Sequence, residues 1–100
     1  MQISTKARQY IGHFFREKRE LAKLTQGEVA KVLKLTSPQF ISNVERGIAE
    51  PTAQMLGVLT KLYKLDQVQV TEVFIEAQKM AIDEIFGGFA DKDASRSGLK

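Results

Sequence analysis

The sequence predicts an all-α fold of five helices, the last of them extended. Apolar residues recur at helical spacing along most of the chain, with no run of strand-like alternation and no Asn-Gly or Asp-Gly hairpin turn. Residues that start and stop helices fall at the ends of those stretches. At 100 residues the chain has the size of one compact domain rather than two.

The first helix is expected from about Thr5 to Ala22, with Ile11, Phe15 and Ala22 on one face. Thr25-Gln26-Gly27-Glu28 has the spacing of a capping box, in which the Thr25 oxygen and the Glu28 carboxylate each take a free backbone donor. The second helix therefore starts at Thr25, buries Val29, Ala30 and Leu33, and ends near Leu33 or Lys34. Ser37-Pro38 opens a third helix, serine as N-cap and proline at the first helical position. That helix buries Ile41 and Val44 and stops at Gly47, a left-handed C-terminal cap. After a connector at 48–51, Pro51-Thr52 opens a fourth helix to about Tyr63, with Leu56, Leu59 and Leu62 or Tyr63 facing inward and Leu65 sealing the core. The fifth is expected over Val70 to Phe86, ended by Gly87-Gly88, so that residues 1–86 form the domain and 87–100 a flexible tail.

Composition narrows the chemistry. The chain is 43% apolar and 27% charged, ordinary for a globular protein. It has no cysteine and a single histidine, His13, so disulfides, thiolate catalysis and the usual zinc sites are not expected. His13 follows Gly12 without the Ser/Asp pattern of a triad, the acidic residues are scattered, and there is no phosphate loop, which points away from an enzyme and from any cofactor. No apolar run approaches the ~20 residues that span a bilayer, and MQISTKARQY lacks the apolar stretch of a signal peptide. The expectation is a cytoplasmic protein. Its charge is uneven: residues 1–66 hold 11 Lys/Arg against 6 Asp/Glu, whereas 67–86 hold four acids against Lys79. A basic body suggests a polyanion as partner, and an acidic last helix something else.

The second and third helices are too short to be stable alone and must pack on the first and fourth. Such a pair suits DNA, because an exposed helix fits the major groove while its predecessor lies across the backbone. The stretch RELAKLTQGEVAKVLKLTSPQFISNVERG, residues 19–47, places Arg19, Thr25-Gln26, Val29-Ala30, Leu33, Ile41-Ser42 and Glu45-Arg46-Gly47 at fixed spacing, with Pro51 following. On those residues the chain resembles the Cro/phage-repressor helix-turn-helix family, the xenobiotic-response-element type, over about residues 9–66. It departs from the family in two places. Lys34 stands where glycine is frequent in the turn, and Thr36 and Ser37 both precede Pro38, which makes the turn one residue longer.

The resemblance implies a phage-repressor-like DNA-binding domain, with duplex DNA as partner and roles for particular residues. Gln39 and Asn43, four apart on one helix face, carry amides able to pair bidentately with adenine. Pro38 and Phe40 flank Gln39 in the base-facing group; Phe40 either touches a thymine methyl or packs as core. Gln26, at the start of the second helix, donates to a phosphate or braces the recognition helix. Ser37, Ser42, Arg46, Arg16 and Lys23 are the remaining phosphate candidates. Arg19 and Glu45 correspond to an ion pair that ties the first helix to the end of the recognition helix.

The last helix carries more apolar surface than a body of four helices needs. Val70, Val73 and Phe74 are expected to cover the body, leaving Met80, Ile82, Ile85 and Phe86 as a self-association surface. The reading is a regulator, a repressor by preference, acting as a homodimer on a palindromic operator. The alternative is an antitoxin or interaction module whose last helix binds a partner protein.

Overall fold

Short polar side chains mark where the helices begin. The computed structural model describes residues 4–97, with side chains described through residue 87. It contains α1 (Thr5–Leu21), α2 (Gln26–Val32), α3 (Gln39–Glu45), α4 (Ala53–Leu62) and α5 (Gln67–Ser97), with no strand among the described residues. Ser4 Oγ accepts from the Ala7 N–H at 3.1 Å, and Thr52 Oγ1 from the Met55 N–H at 3.1 Å. At α2 the capping box closes in both directions: Thr25 Oγ1 accepts from the Glu28 N–H at 3.0 Å, and Glu28 Oε1 from the Thr25 N–H at 2.8 Å. An Asp66 carboxylate oxygen accepts from the Val68 N–H at 3.0 Å, so α5 starts three residues before the expected Val70.

The ends of α1 to α4 repeat one device. A residue with positive φ follows each helix: Lys23 at 62°, Lys34 at 60°, Gly47 at 79° and Lys64 at 56°. In each case its N–H and that of the next residue bond back to carbonyls three and five positions earlier, the Schellman pattern. Three of the four read Lys-Leu (Lys23-Leu24, Lys34-Leu35, Lys64-Leu65), a recurrence absent from the periodicity reading. The left-handed conformation is reached at Lys34 without the glycine frequent in the family. A side chain there costs on the order of 1 kcal/mol, which the two capping bonds offset.

α3 begins one residue later than expected. Pro38 occupies the N-cap position, and Ser37 Oγ accepts from the Gln39 N–H at 3.3 Å. The extra turn residue is absorbed before the helix, leaving Gln39 as its first residue. At the other extreme, α5 continues through Gly87-Gly88 to Ser97, against the expectation that the glycine pair ends it. Two glycines cost about 1 kcal/mol each in a helix interior, too little to stop one flanked by good helix formers. Residues 98–100 of the expected tail lie outside the described residues.

The core is built from rows four apart. Ala7, Ile11 and Phe15 line one face of α1, and the same row ends on Arg19. They meet Val29 and Ala30 of α2, Ile41 and Val44 of α3, and Met55, Leu59 and Tyr63 from α4 and its cap. Here the expected inward set changes, since Met55 is buried while Leu56 and Leu62 are only partly so. Val73, Ala77 and Ala81 of α5 close the core against α1, with the Phe15 and Phe74 rings 6.4 Å apart. Each large side chain buried here contributes about 1.5–3 kcal/mol.

Gly12 sets how closely α1 approaches α3. A Cβ at Gly12 would lie 2.3 Å from the Val44 carbonyl oxygen and 2.6 Å from that of Glu45. These are backbone atoms that cannot swing aside. Gly12→Ala is therefore expected to destabilise the fold by about 1–3 kcal/mol, the usual cost of overpacking. A thermal melt unchanged from wild type would show that the two helices can part without penalty.

Candidate nucleic-acid interface

α3 is seven residues long and presents two chemically distinct sides. Ile41, Val44 and Glu45 are buried, whereas Gln39 and Arg46 are exposed and Asn43 is half-exposed. Gln39, Asn43 and Arg46 follow at intervals of four and three and so form one row. Gln39 Nε2 donates to Asn43 Oδ1 at 2.9 Å, and Arg46 Nη2 donates to the same oxygen at 3.0 Å. Pro38 and Ser37 are exposed just ahead of the row, and Ser42 is half-buried beside it. Phe40 is partly buried and packs against the core, the second of its two expected roles. Together with Leu33, Leu35 and Met55 it lines a small apolar recess between the helix-turn-helix and α4.

A buried ion pair holds this helix from behind. Arg19 Nε lies 2.7 Å from Glu45 Oε2 and Arg19 Nη2 lies 3.0 Å from Glu45 Oε1, a two-pronged contact. Both side chains are almost wholly out of solvent, with 11% and 4% of their surface exposed. Arg19 Nη1 also donates to the Leu24 carbonyl at 2.8 Å, which fixes the turn ahead of α2. Hydrogen bonding to Glu45 raises the Arg19 pKa above its ordinary range, outweighing the desolvation that lowers it. Gln26 Nε2 donates to Glu45 Oε1 at 2.9 Å, so one amide hydrogen is committed to bracing α3 rather than free for a phosphate. Tyr63, at the end of α4, lies close enough that the Glu45 charge adds to burial in pushing its phenol well above the usual range. The Tyr63 hydroxyl has no hydrogen-bond partner among the described residues.

Two contacts absent from the sequence reading complete the anchoring. Arg8 Nε donates to the Gly47 carbonyl at 3.0 Å, capping the end of α3 from α1, and Gly12 allows the close approach described above. The remaining phosphate candidates are exposed rather than part of the buried pair. Arg16 is exposed and meets Glu20 at 3.3 Å, and Lys23 is exposed in the turn after α1. Exposed pairs of this kind contribute little to stability. His13 is likewise exposed, 3.3 Å from Glu17.

The expected association surface divides. Met80 is half-buried against the core, because it lies three residues from Ala77 and seven from Val73 on the inward side. Ile82, Ile85 and Phe86 are exposed at 39%, 46% and 61%. Val68 and Ile75, not singled out by sequence, are exposed at 60% and 52%. At about 100° per residue, Val68, Ile75, Ile82 and Phe86 fall within about 40° of one another, opposite the Val73-Ala77-Ala81 row. Among the described residues no group of acidic and imidazole side chains could hold a metal ion, and no helix is long and apolar enough to cross a membrane.

Removal of Glu45 strands a buried guanidinium. Glu45→Ala is expected to cost about 3 kcal/mol or more, whereas removal of the exposed Glu72 or Glu76 stays within about 0.5 kcal/mol. Equal melting temperatures for the three variants would mean that the pair contributes nothing to the fold.

Comparison with known families agrees with this geometry. A helix-turn-helix family profile matches residues 15–66, from the middle of α1 to the residue before α5. No curated protein and no solved structure matches the chain. The matched segment covers more than half of the sequence and contains the braced helix pair, the buried Arg19–Glu45 contact and the exposed row on α3. The chain belongs to the Cro/C1-type helix-turn-helix family of DNA-binding transcriptional regulators.

Proposed function

We propose that the protein is a homodimeric repressor that occupies a palindromic operator, with α3 in the major groove. The observation that carries this reading is the exposed row Gln39-Asn43-Arg46 on a helix anchored from behind by a buried ion pair. Gln39 and Asn43 face base edges. Ser37, Ser42, Arg46, Arg16 and Lys23 hold phosphates at the rim, joined by the second amide hydrogen of Gln26. Repression needs only occupancy, since a dimer seated over a promoter excludes polymerase without further contacts. Affinity for duplex DNA is expected to fall steeply with salt, by about 0.9 in log affinity per tenfold salt for each phosphate neutralised. Selection of bound sites from random duplex DNA tests the rest. It is expected to return two inverted half-sites about one helical turn apart. Enrichment of no sequence, or affinity indifferent to salt, would sink the proposal.

On this proposal the second copy packs on α5. Val68, Ile75 and Ile82 recur every seven residues on its outward side, the spacing that buries a seam between two helices. Their exposure also supports the second reading, in which the same row receives a different protein. Sedimentation separates the two. Replacing Ile75 and Ile82 together by glutamate is expected to convert a dimer to a monomer and to weaken operator binding. The melt should be retained, because neither residue belongs to the core. A double variant that remains dimeric would place the interface elsewhere, and a wild-type chain that sediments as a monomer would favour the other partner.

A further inference from the structure

The polar row on α3 has a hydrogen-bond direction, and Arg46 sets it. A guanidinium carries donors only, so the atom it meets must be an acceptor. Its Nη2 stands 3.0 Å from Asn43 Oδ1, which turns the amide oxygen toward Arg46 and Nδ2 away. The same oxygen accepts from Gln39 Nε2 at 2.9 Å, so Gln39 presents its nitrogen along the row and leaves Oε1 free. Reversing Asn43 would set donor against donor, and reversing Gln39 would set acceptor against acceptor. Both lone pairs of Asn43 Oδ1 are filled. The unpartnered groups of the two amides are then Gln39 Oε1 with one remaining Gln39 N–H, and both donors of Asn43 Nδ2.

Resting on the reading of α3 as the base-reading helix, we propose that Asn43 selects guanine, that Gln39 selects an amino-bearing base (adenine or cytosine), and that Arg46 is the positioning residue for both. Guanine shows only acceptors on this edge of the major groove, N7 and O6, so a donor-only Asn43 Nδ2 meets no opposing donor there. Adenine shows one acceptor and one amino group, and that amino group would face a donor. The bidentate adenine contact open to an isolated asparagine needs Oδ1, which the row already occupies. At Gln39 a free carbonyl oxygen accepts from adenine N6 or cytosine N4, and the remaining N–H can donate to adenine N7. The row thus departs from the amide–adenine pairing that its residue types suggest at Asn43, and keeps it open at Gln39.

The test is site selection from random duplex DNA with the full-length chain and three variants, each first checked by thermal melting for an intact fold. Wild type is expected to enrich guanine roughly tenfold or more over adenine at one position per half-site. Asn43→Asp, which has no donors, is expected to lose that preference at that position alone. Arg46→Lys remains a pure donor and is expected to keep guanine. Arg46→Leu frees the amide to turn and is expected to accept guanine and adenine alike. If Arg46→Leu lowers affinity but retains the guanine preference, Arg46 acts through phosphate alone without orienting Asn43, and the proposal is overturned. It is equally overturned if wild type selects adenine at the position that Asn43→Asp alters. Either result leaves the reading of α3 as the base-reading helix standing, whereas a wild-type chain that enriches no sequence overturns both.

Discussion

The Arg19–Glu45 contact is the constraint on which the placement of the recognition helix depends. Taking two charges out of water costs several kcal/mol per ion, and their attraction compensates only when the geometry is good. Here the guanidinium fork meets both carboxylate oxygens, at 2.7 and 3.0 Å, and gives its remaining arm to the Leu24 carbonyl. A sliding or rotated α3 would strand both charges, so the pair penalises alternative registers more sharply than apolar packing would. Gln26 and Tyr63 bring α2 and α4 to the same carboxylate, the first by a hydrogen bond and the second by its field. One side chain at the end of α3 thereby senses three other helices.

That arrangement accounts for how a helix of seven residues can hold a polar row in a fixed position. A segment this short is not stable in isolation. Its geometry is borrowed from the buried side: Ile41 and Val44 in the core, Glu45 in the ion pair, and the close approach permitted by Gly12. Gln39, Asn43 and Arg46 are left to solvent, where their mutual hydrogen bonds order them further. On the proposed reading, stability and recognition occupy opposite sides of one helix, and changes on the outward side alter what is read more than whether the chain folds.

Local signals made most of the fold legible in the sequence. The capping box at Thr25 and Glu28 and the cap at Gly47 were written in adjacent residues, and the apolar rows gave five helices. Arg19 and Glu45 are 26 positions apart, and only the family resemblance linked them. No local pattern marks Gly12, because its importance lies in a carbonyl brought against it by folding. The same holds for Arg8 at the Gly47 carbonyl. Lys34 was read as a missing glycine, whereas capping bonds hold the left-handed turn without one. Leu56 was expected inward where Met55 is buried, and Met80 outward where it is half-buried, for a related reason. Helical spacing defines a stripe but not which edge of it meets a neighbour, and that choice belongs to packing.

α5 shows how far assembly can be separated from folding. Its inward row, Val73, Ala77 and Ala81, uses small residues that let the helix lie close against α1. Nothing in that contact requires the large apolar residues on the far side, since the core already closes with Val68, Ile75, Ile82 and Phe86 exposed. Exposed apolar surface of this extent is a cost in solution unless another surface covers it. The row also lies on a helix whose acidic residues set it apart from the basic body. Contacts made there can bring two recognition helices together without competing with phosphate for the same side chains. On this reading the spacing between half-sites is a property of α5, while the bases read within each are a property of α3.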